Sequence, residues 1–266
     1  ARAVERRGAA VYEGTGVTAV RPRGRGGPRL RTAYGDVRAD VVVLAGEAWL
    51  AQLPGWRRSV LPLYSLVVLT EPLSPARWSQ IGWDGGECLS SHRLTVDYLS
   101  RTEDGRILFG GRGVPYRFGS AMSEAQAHHG PTHAMLRRHL VEWFPPLRRV
   151  GFADAWGGAV GMPRDWLPTF FFNPRTGLAG AYGYTGQGVA AANLAGRVLA
   201  DLITTGSCEL GDLPMVNHPP RRWEPEPLRW LAVRYLQGAL ARVDARARRS
   251  GRPPGGRALA ERLTRH

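Results

Sequence analysis

The sequence contains no lysine, and all 36 basic residues are arginine. Arg-, Ala- and Gly-rich usage without lysine reads as GC-rich coding. Cysteine is nearly absent too. Cys88 and Cys208 cannot form a disulfide framework and lack metal-ligand spacing, so a reducing cytoplasm is the expected compartment. No apolar run approaches the ~18 residues of a membrane-spanning helix. The stretch Ala1-Arg-Ala-Val-Glu-Arg-Arg7 lacks the apolar core of a secretory signal. Neither a Gly-x-Ser-x-Gly elbow nor a Cys/His arrangement points to a hydrolase, and there are no internal repeats.

What is present is an ordinary globular balance, 43% hydrophobic and 22% charged over 266 residues. That length allows one large domain or two intertwined ones. The net charge of +14 is carried by the two ends. Residues 1–31 hold eight arginines against two acids, and residues 221–266 hold twelve against four, while 32–220 is neutral. A nucleic-acid reader concentrates basic residues on its folded surface, so this distribution disfavours that partner and fits solvated ends.

Hydrophobic patterning divides the chain. Residues 9–20 suggest one or two short strands, Arg21 to Arg31 a turn-rich loop, and Leu30–Tyr34 with Val37–Ala39 further short strands. Asp40-Val-Val-Val-Leu-Ala-Gly46 is a β-branched run of the kind buried on both faces of a parallel sheet. Ligands sit at the carboxyl ends of such strands, which makes Ala45 to Trp49 a cofactor edge. From Pro54 to about Trp156 the texture is antiparallel. Ser65–Thr70 reads as a strand, and Thr95–Arg101 with Arg106–Gly111 as a hairpin turning at Glu103-Asp-Gly105. Thr132–Phe144 reads as a helix with Ala134, Leu136, Leu140, Val141 and Phe144 near one face. Gly177–Gly183 is then a small-residue strand, Thr185–Gly188 a tight turn and Val189–Thr204 a helix closed by Gly206. A Pro-rich link, an Arg-studded helix near Leu228–Arg246 and an end without expected structure complete the chain.

Two Gly-x-Gly-x-x-Ala motifs occur. Gly14/Gly16/Ala19 runs into Val20-Arg-Pro-Arg, which cannot open a helix, and reads as a decoy. Gly186/Gly188/Ala191 lies between a strand and a helix. It fits either a tight turn with glycine for packing or a backbone that approaches a planar ligand, with a helix N-terminus aimed at it. His128, His129 and His133 are split by Gly130-Pro131, so they read as exposed loop histidines and not as metal ligands.

Four ordered segments together resemble the FAD-dependent D-amino-acid oxidase family, which includes glycine, sarcosine and γ-glutamylputrescine oxidases. They are Gly14–Val17 with Ala39–Trp49; Tyr64 through Leu73; Tyr98 through Arg112; and Trp156-Gly157, Asp165-x-x-Pro168 and Gly183–Val189. Trp223–Trp230 resembles the tail of the γ-glutamylputrescine-oxidase-like branch. The resemblance implies a mixed α/β fold, with a partial FAD-binding Rossmann-like domain (1–53 and 157–206) interleaved with an antiparallel-sheet substrate domain (54–156), and a tail at 207–266. It implies non-covalent FAD held by Val17, Ala45, Gly46, Glu47, Trp49, Gly157, Gly183, Tyr184, Thr185, Gly186, Gln187, Gly188 and Val189. Donors at the 183–189 segment would face the ring edge where negative charge develops. Tyr64, Arg101 and Gln187 would orient an amine or amino-acid substrate, Arg101 by pairing a carboxylate. No catalytic residue stands out.

The sequence departs from the family pattern in three places. The strand–Gly-x-Gly-x-x-Gly–helix start is not found, so the chain reads as the C-terminal portion of a longer protein. Gly158 stands where sarcosine oxidases tether flavin through cysteine, and the lysine that assists oxygen there has no counterpart. The acceptor is therefore O2 or another oxidant. The leading expectation is an FAD-dependent oxidation of a C–N bond. The alternatives are a catalytically inert fragment of that family and an Arg-rich module for anionic surfaces or nucleic acid.

Overall fold

The computed structural model describes residues 1–24, 26–256 and 258–263. In chain order the strands are β1 (Val17–Gly24), β2 (Gly27–Thr32), β3 (Gly35–Arg38), β4 (Val42–Leu44), β5 (Leu61–Thr70), β6 (Asp97–Arg101), β7 (Ile107–Arg112), β8 (Phe152–Met162), β9 (Thr169–Asn173) and β10 (Leu178–Tyr182). The helices are α1 (Arg2–Glu5), α2 (Pro75–Ile81), α3 (Glu124–Ala127), α4 (Gly130–Trp143), α5 (Gly188–Thr204), α6 (Leu228–Ser250) and α7 (Leu259–Leu263). Contacts separate two compact units, residues 1–60 with 161–222 and residues 61–160 with 223–266.

The first unit holds two three-stranded sheets, β1-β2-β3 and β4-β10-β9. In the latter, β4 and β10 run parallel and β10 and β9 antiparallel. Gly180 of β10 is needed there, because a Cβ would meet the Leu44 carbonyl and the Phe171 ring. The helix α5 buries Ala195, Val198, Leu199 and Leu202, one stripe at helical spacing, with Phe170, Ala179 and Ala181. A second cluster joins Val42, Leu44, Leu50, Ala51, Val60 and Tyr182, with Trp56 stacked on Phe171.

Three local expectations for this unit change. The Arg21–Arg31 segment is mostly strand, since β1 continues to Gly24 and β2 begins at Gly27; Arg25 lies outside the described residues. Residues 9–16 form no strand. Finally, β4 is not buried on both faces. Val43 is 49% exposed between buried Val42 and Leu44, so the face to which Val43 points is not covered.

The second unit is built on the antiparallel sheet β6-β7-β5-β8. Leu66, Val68, Leu99, Ile107 and Phe109 point to its core face and pack with Leu136 and Leu140 of α4. The buried stripe of α4 is Thr132, His133, Leu136 and Leu140, so Ala134 and Val141 are not core as expected. His133 is correspondingly no loop histidine; it is buried, with Nε2 3.2 Å from the Trp156 carbonyl. His129 Nδ1 lies 2.8 Å from Thr132 Oγ1 beside it.

The helix α6 continues to Ser250 and is tied to this unit through polar side chains, a feature its arginine-studded sequence hid. The Asp244 carboxylate accepts the amides of Leu94 (2.9 Å) and Thr95 (3.0 Å) and the Thr95 hydroxyl (2.6 Å). The Gln237 amide bonds both the Tyr116 amide and the Val114 carbonyl at 3.1 Å. Glu226 accepts the Tyr116 hydroxyl at 2.8 Å, the Gly119 amide at 2.9 Å and the Trp230 amide at 2.8 Å, and pairs with buried Arg229. Among the described residues no helix is long and apolar enough to cross a membrane.

Candidate functional site

In the first unit, the carboxyl ends of β4 and β10 lie side by side because the two strands are parallel. Ala45 and Gly46 follow β4, and a short 3-10 turn from Glu47 to Gln52 begins there. Glu47 itself adopts a left-handed φ of 44°. Its carboxylate accepts three amides, from Gly161 at 2.9 Å, Gly183 at 2.6 Å and Tyr184 at 3.3 Å. Two separate segments are thereby tied to the one that carries Glu47. Burial raises the Glu47 pKa, and the three amide bonds only partly offset that effect.

Beyond Gly183 the chain makes a turn with left-handed φ at Gly183 (80°), Thr185 (56°) and Gly186 (105°). The Gln187 amide bonds the Tyr184 carbonyl at 2.9 Å, and α5 starts at Gly188 with no side-chain cap on Gln187. The first-turn amides of a helix have no partner within it, and together they carry about half a positive charge. Here that end is open. Gly186, Gln187 and Ala190 are exposed, Val189 is 95% exposed, and space for a Cβ at Gly186 is empty within 4 Å. Trp49, 61% exposed, and Ala45 leave the β4 end of the same unit open as well, and Val17 begins β1 at 37% exposure.

The remaining residues singled out from sequence lie in the second unit. Tyr64 is buried; its hydroxyl donates to the Ser123 carbonyl at 3.0 Å and accepts the Ser123 amide at 3.2 Å. The Arg101 guanidinium lies 4.1 Å over the Trp78 ring and reaches the carbonyls of Trp83 and Asp84 at 3.5 and 3.4 Å. Both side chains, expected to orient a substrate, thus make polar contacts inside this unit, Arg101 through Nη1. Gly157 lets β8 approach β5, since a Cβ there would meet Leu66 and the Ser65 carbonyl. Sequence reasoning passed over the opposite, non-core face of this sheet, which carries Ser65, Tyr98 and Arg112. The signal was the period-two alternation of Leu108, Gly110 and Arg112 against Ile107 and Phe109.

An open, uncapped helix N-terminus beside two parallel strand ends suits a ring edge that carries or develops negative charge. Residues 1–202 match the family described as FAD dependent oxidoreductase. The chain is 33% identical over 215 residues to the probable oxidoreductase OrdL of Rhizobium meliloti, covering 80% of this chain and 46% of that protein. It is 29% identical over 205 residues to the γ-glutamylputrescine oxidoreductase of Escherichia coli, covering 76% and 45%. Among solved structures, glycine oxidase from Geobacillus kaustophilus superposes with a TM-score of 0.60 at 24% identity, over 79% of this chain and 53% of that one. The L-proline dehydrogenase of P. horikoshii gives 0.58 at 21%, over 77% and 54%. The chain spans about half the length of the curated relatives it matches.

Proposed function

The chain belongs to the family of FAD-dependent oxidoreductases, and on that premise we propose that it serves the oxidation of a C–N bond in an amine or amino acid. The observation that carries this reading is the uncapped N-terminus of α5, presented by a turn that the Glu47 carboxylate holds in place. Val17, Ala45, Gly46, Glu47, Trp49 and the segment Gly183–Val189 would hold the FAD non-covalently. When bound, the flavin supplies the hydride acceptor for carbon–nitrogen oxidation.

The protein's own contributions are placement and electrostatics. Amides in the first turn of α5 would donate toward negative charge as it develops at the edge of a bound ring, and they need no reorganisation because the helix fixes them. Glu47 keeps those amides in register by holding Gly183 and Tyr184, so it is a positioning residue. The Gln187 side chain, free of any capping bond, is available to orient a substrate amine. Binding of that amine in its neutral form leaves the nitrogen lone pair available as hydride departs. The electron acceptor is O2 or another oxidant. Both cysteines are free thiols, in keeping with a cytoplasmic setting.

The test is a visible absorbance spectrum of the purified chain after incubation with FAD and desalting. The expected result is a retained protein-bound flavin spectrum that bleaches anaerobically with a member of an amine and amino-acid panel. A folded chain that retains no flavin overturns the reading for this chain.

A further inference from the structure

The basic stretch near the start of the chain is not a solvated end throughout. Three of its arginines, Arg21, Arg29 and Arg31, stand in the sheet β1-β2-β3. Residues directly opposite each other on antiparallel strands share a face, and so do residues two apart along one strand. Arg21 pairs with Arg29 across β1 and β2, and Arg29 pairs with Arg38 across β2 and β3. The result is an unbroken cross-strand row of three arginines. The next row on the same face is Ala19, Arg31 and Asp36. The opposite face carries Val20, Leu30 and Val37, and the first two of these pack with the cluster of Val42 and Leu44. One side of the sheet is thus apolar and turned to the core of the first unit. The other is an arginine face on which Arg21, Arg31 and Arg38 are exposed.

Like charges directly opposite on a sheet destabilise it, so this row costs the isolated chain stability. Asp36 is the one acid in the two rows, and it is shared, 3.5 Å from Arg29 and 3.5 Å from Arg31. Among the described residues no carboxylate lies within ion-pair distance of Arg21 or Arg38. Four arginines against one aspartate leave a net charge of +3 on the two rows. Arginine usage across the chain accounts for how many arginines there are, and not for their alignment in one row on one face.

We propose that this arginine face docks the protein on the anionic surface of a lipid membrane. An exposed sheet face has no walls to enclose a small anion, so its complement is an extended one. A second copy does not supply it, since a chain of net charge +14 repels itself. Protein partners are anchored by apolar and aromatic residues at the centre of an interface, and the two rows offer only Ala19. Single-stranded nucleic acid needs aromatic rings on which bases stack, and these rows contain none. Anionic headgroups need neither anchor nor platform; they need cations in one plane within a Debye length, with guanidinium forks that match phosphate. Tyr34, in the turn between β2 and β3, is 82% exposed, and tyrosine is a residue type that settles at headgroup depth. The docking is peripheral and independent of flavin.

The test is co-sedimentation of the full chain with vesicles of phosphatidylglycerol mixed with phosphatidylcholine, against vesicles of phosphatidylcholine alone. The chain should pellet with the anionic vesicles only, and salt should release it. One arginine near an anionic leaflet is worth about fivefold in affinity, so the double variant Arg21→Gln/Arg38→Gln should bind about thirtyfold more weakly. Its melting temperature should hold or rise, because the row of like charges is relieved. Arg21→Lys/Arg38→Lys should keep most of the binding, and Tyr34→Ala should weaken it a few-fold. The control is Arg246→Gln/Arg249→Gln, which removes the same charge from exposed positions on α6 and should leave binding nearly unchanged. Equal weakening by the control means that net charge alone binds, and overturns the sheet as the docking face. A chain that ignores both kinds of vesicle overturns the proposal. So does one that ignores vesicles but binds an oligothymidylate through Arg21 and Arg38, which would make nucleic acid the occupant.

Discussion

The carboxylate of Glu47 accepts the Gly183 amide at 2.6 Å, joining residues 136 positions apart in the chain. With the amides of Gly161 and Tyr184 on the same carboxylate, one side chain sets the turn that leads into α5.

Glu47→Ala should leave those three amides without their acceptor, at a cost of about 2–4 kcal/mol. Urea unfolding measures it, and the same variant should lose retained flavin. Because burial raises the Glu47 pKa, the folded state holds its proton more firmly than the unfolded chain does. The stabilising contribution is complete below the ordinary glutamate value of 4.5 and is lost as pH rises through the folded value. A pH series comparing wild type with Glu47→Gln should therefore show the wild type gaining relative stability toward acid.

Val189 is 95% exposed in the first turn of α5, a turn that contains no acidic residue. Val189→Glu should stabilise the helix by about 0.3–1 kcal/mol through the macrodipole. The same carboxylate would repel developing negative charge, so flavin retention should fall while the melting temperature rises. A parallel gain in both would speak against the α5 N-terminus as the ring site.

Gly110→Ala places a methyl where the Tyr98 ring lies. Displacing the ring should cost about 1–3 kcal/mol. In the Tyr98→Ala background the same substitution should cost much less, and a double-mutant cycle by denaturant unfolding reads the coupling.

Asp244 accepts three hydrogen bonds from Leu94 and Thr95 while itself 5% exposed. Asp244→Ala should destabilise the chain by about 2–4 kcal/mol, because buried donors lose their acceptor. Asp244→Asn should recover part of the loss.

Burial, reinforced by the Arg93 guanidinium, lowers the His139 pKa to about 4. The imidazole should show no titration between pH 5.5 and 7.5 by proton NMR. A histidine with a depressed folded pKa contributes stability that is complete above its unfolded value of 6.5 and lost as pH falls toward 4. In His139→Gln that acid-side loss should be smaller.

Much of the local structure is readable along the chain. The stripe Leu194, Val198, Leu199 and Leu202 specifies α5, and Glu103-Asp-Gly105 marks the turn between β6 and β7. In both, the pattern and the structure share one short range. The depth of β4 was not readable. Asp40-Val-Val-Val-Leu reads as fully buried, yet Val43 is half exposed, because whether a second layer covers the face to which it points is decided by segments remote in the chain. The buried side of α4 was only partly readable, since His133 and Thr132 reach the core while Ala134 does not.

The sequence by itself determined the β6–β7 hairpin, the helices α4 and α5, the glycine turn before α5, and the ordered motifs that place the chain in its family. These depend on neighbours within a few residues, which periodicity and turn chemistry record directly. Only the tertiary structure decided which polar groups are committed and which are left available. Arg101 and Arg112 are both arginines on adjacent strands, and nothing in their local sequence separates them. Arg101 meets an indole and two carbonyls brought from residues 78–84, whereas Arg112 faces a serine and a tyrosine and no acid among the described residues. Pairing of a buried charge is set by what other strands bring within ~4 Å, and that is a property of the fold.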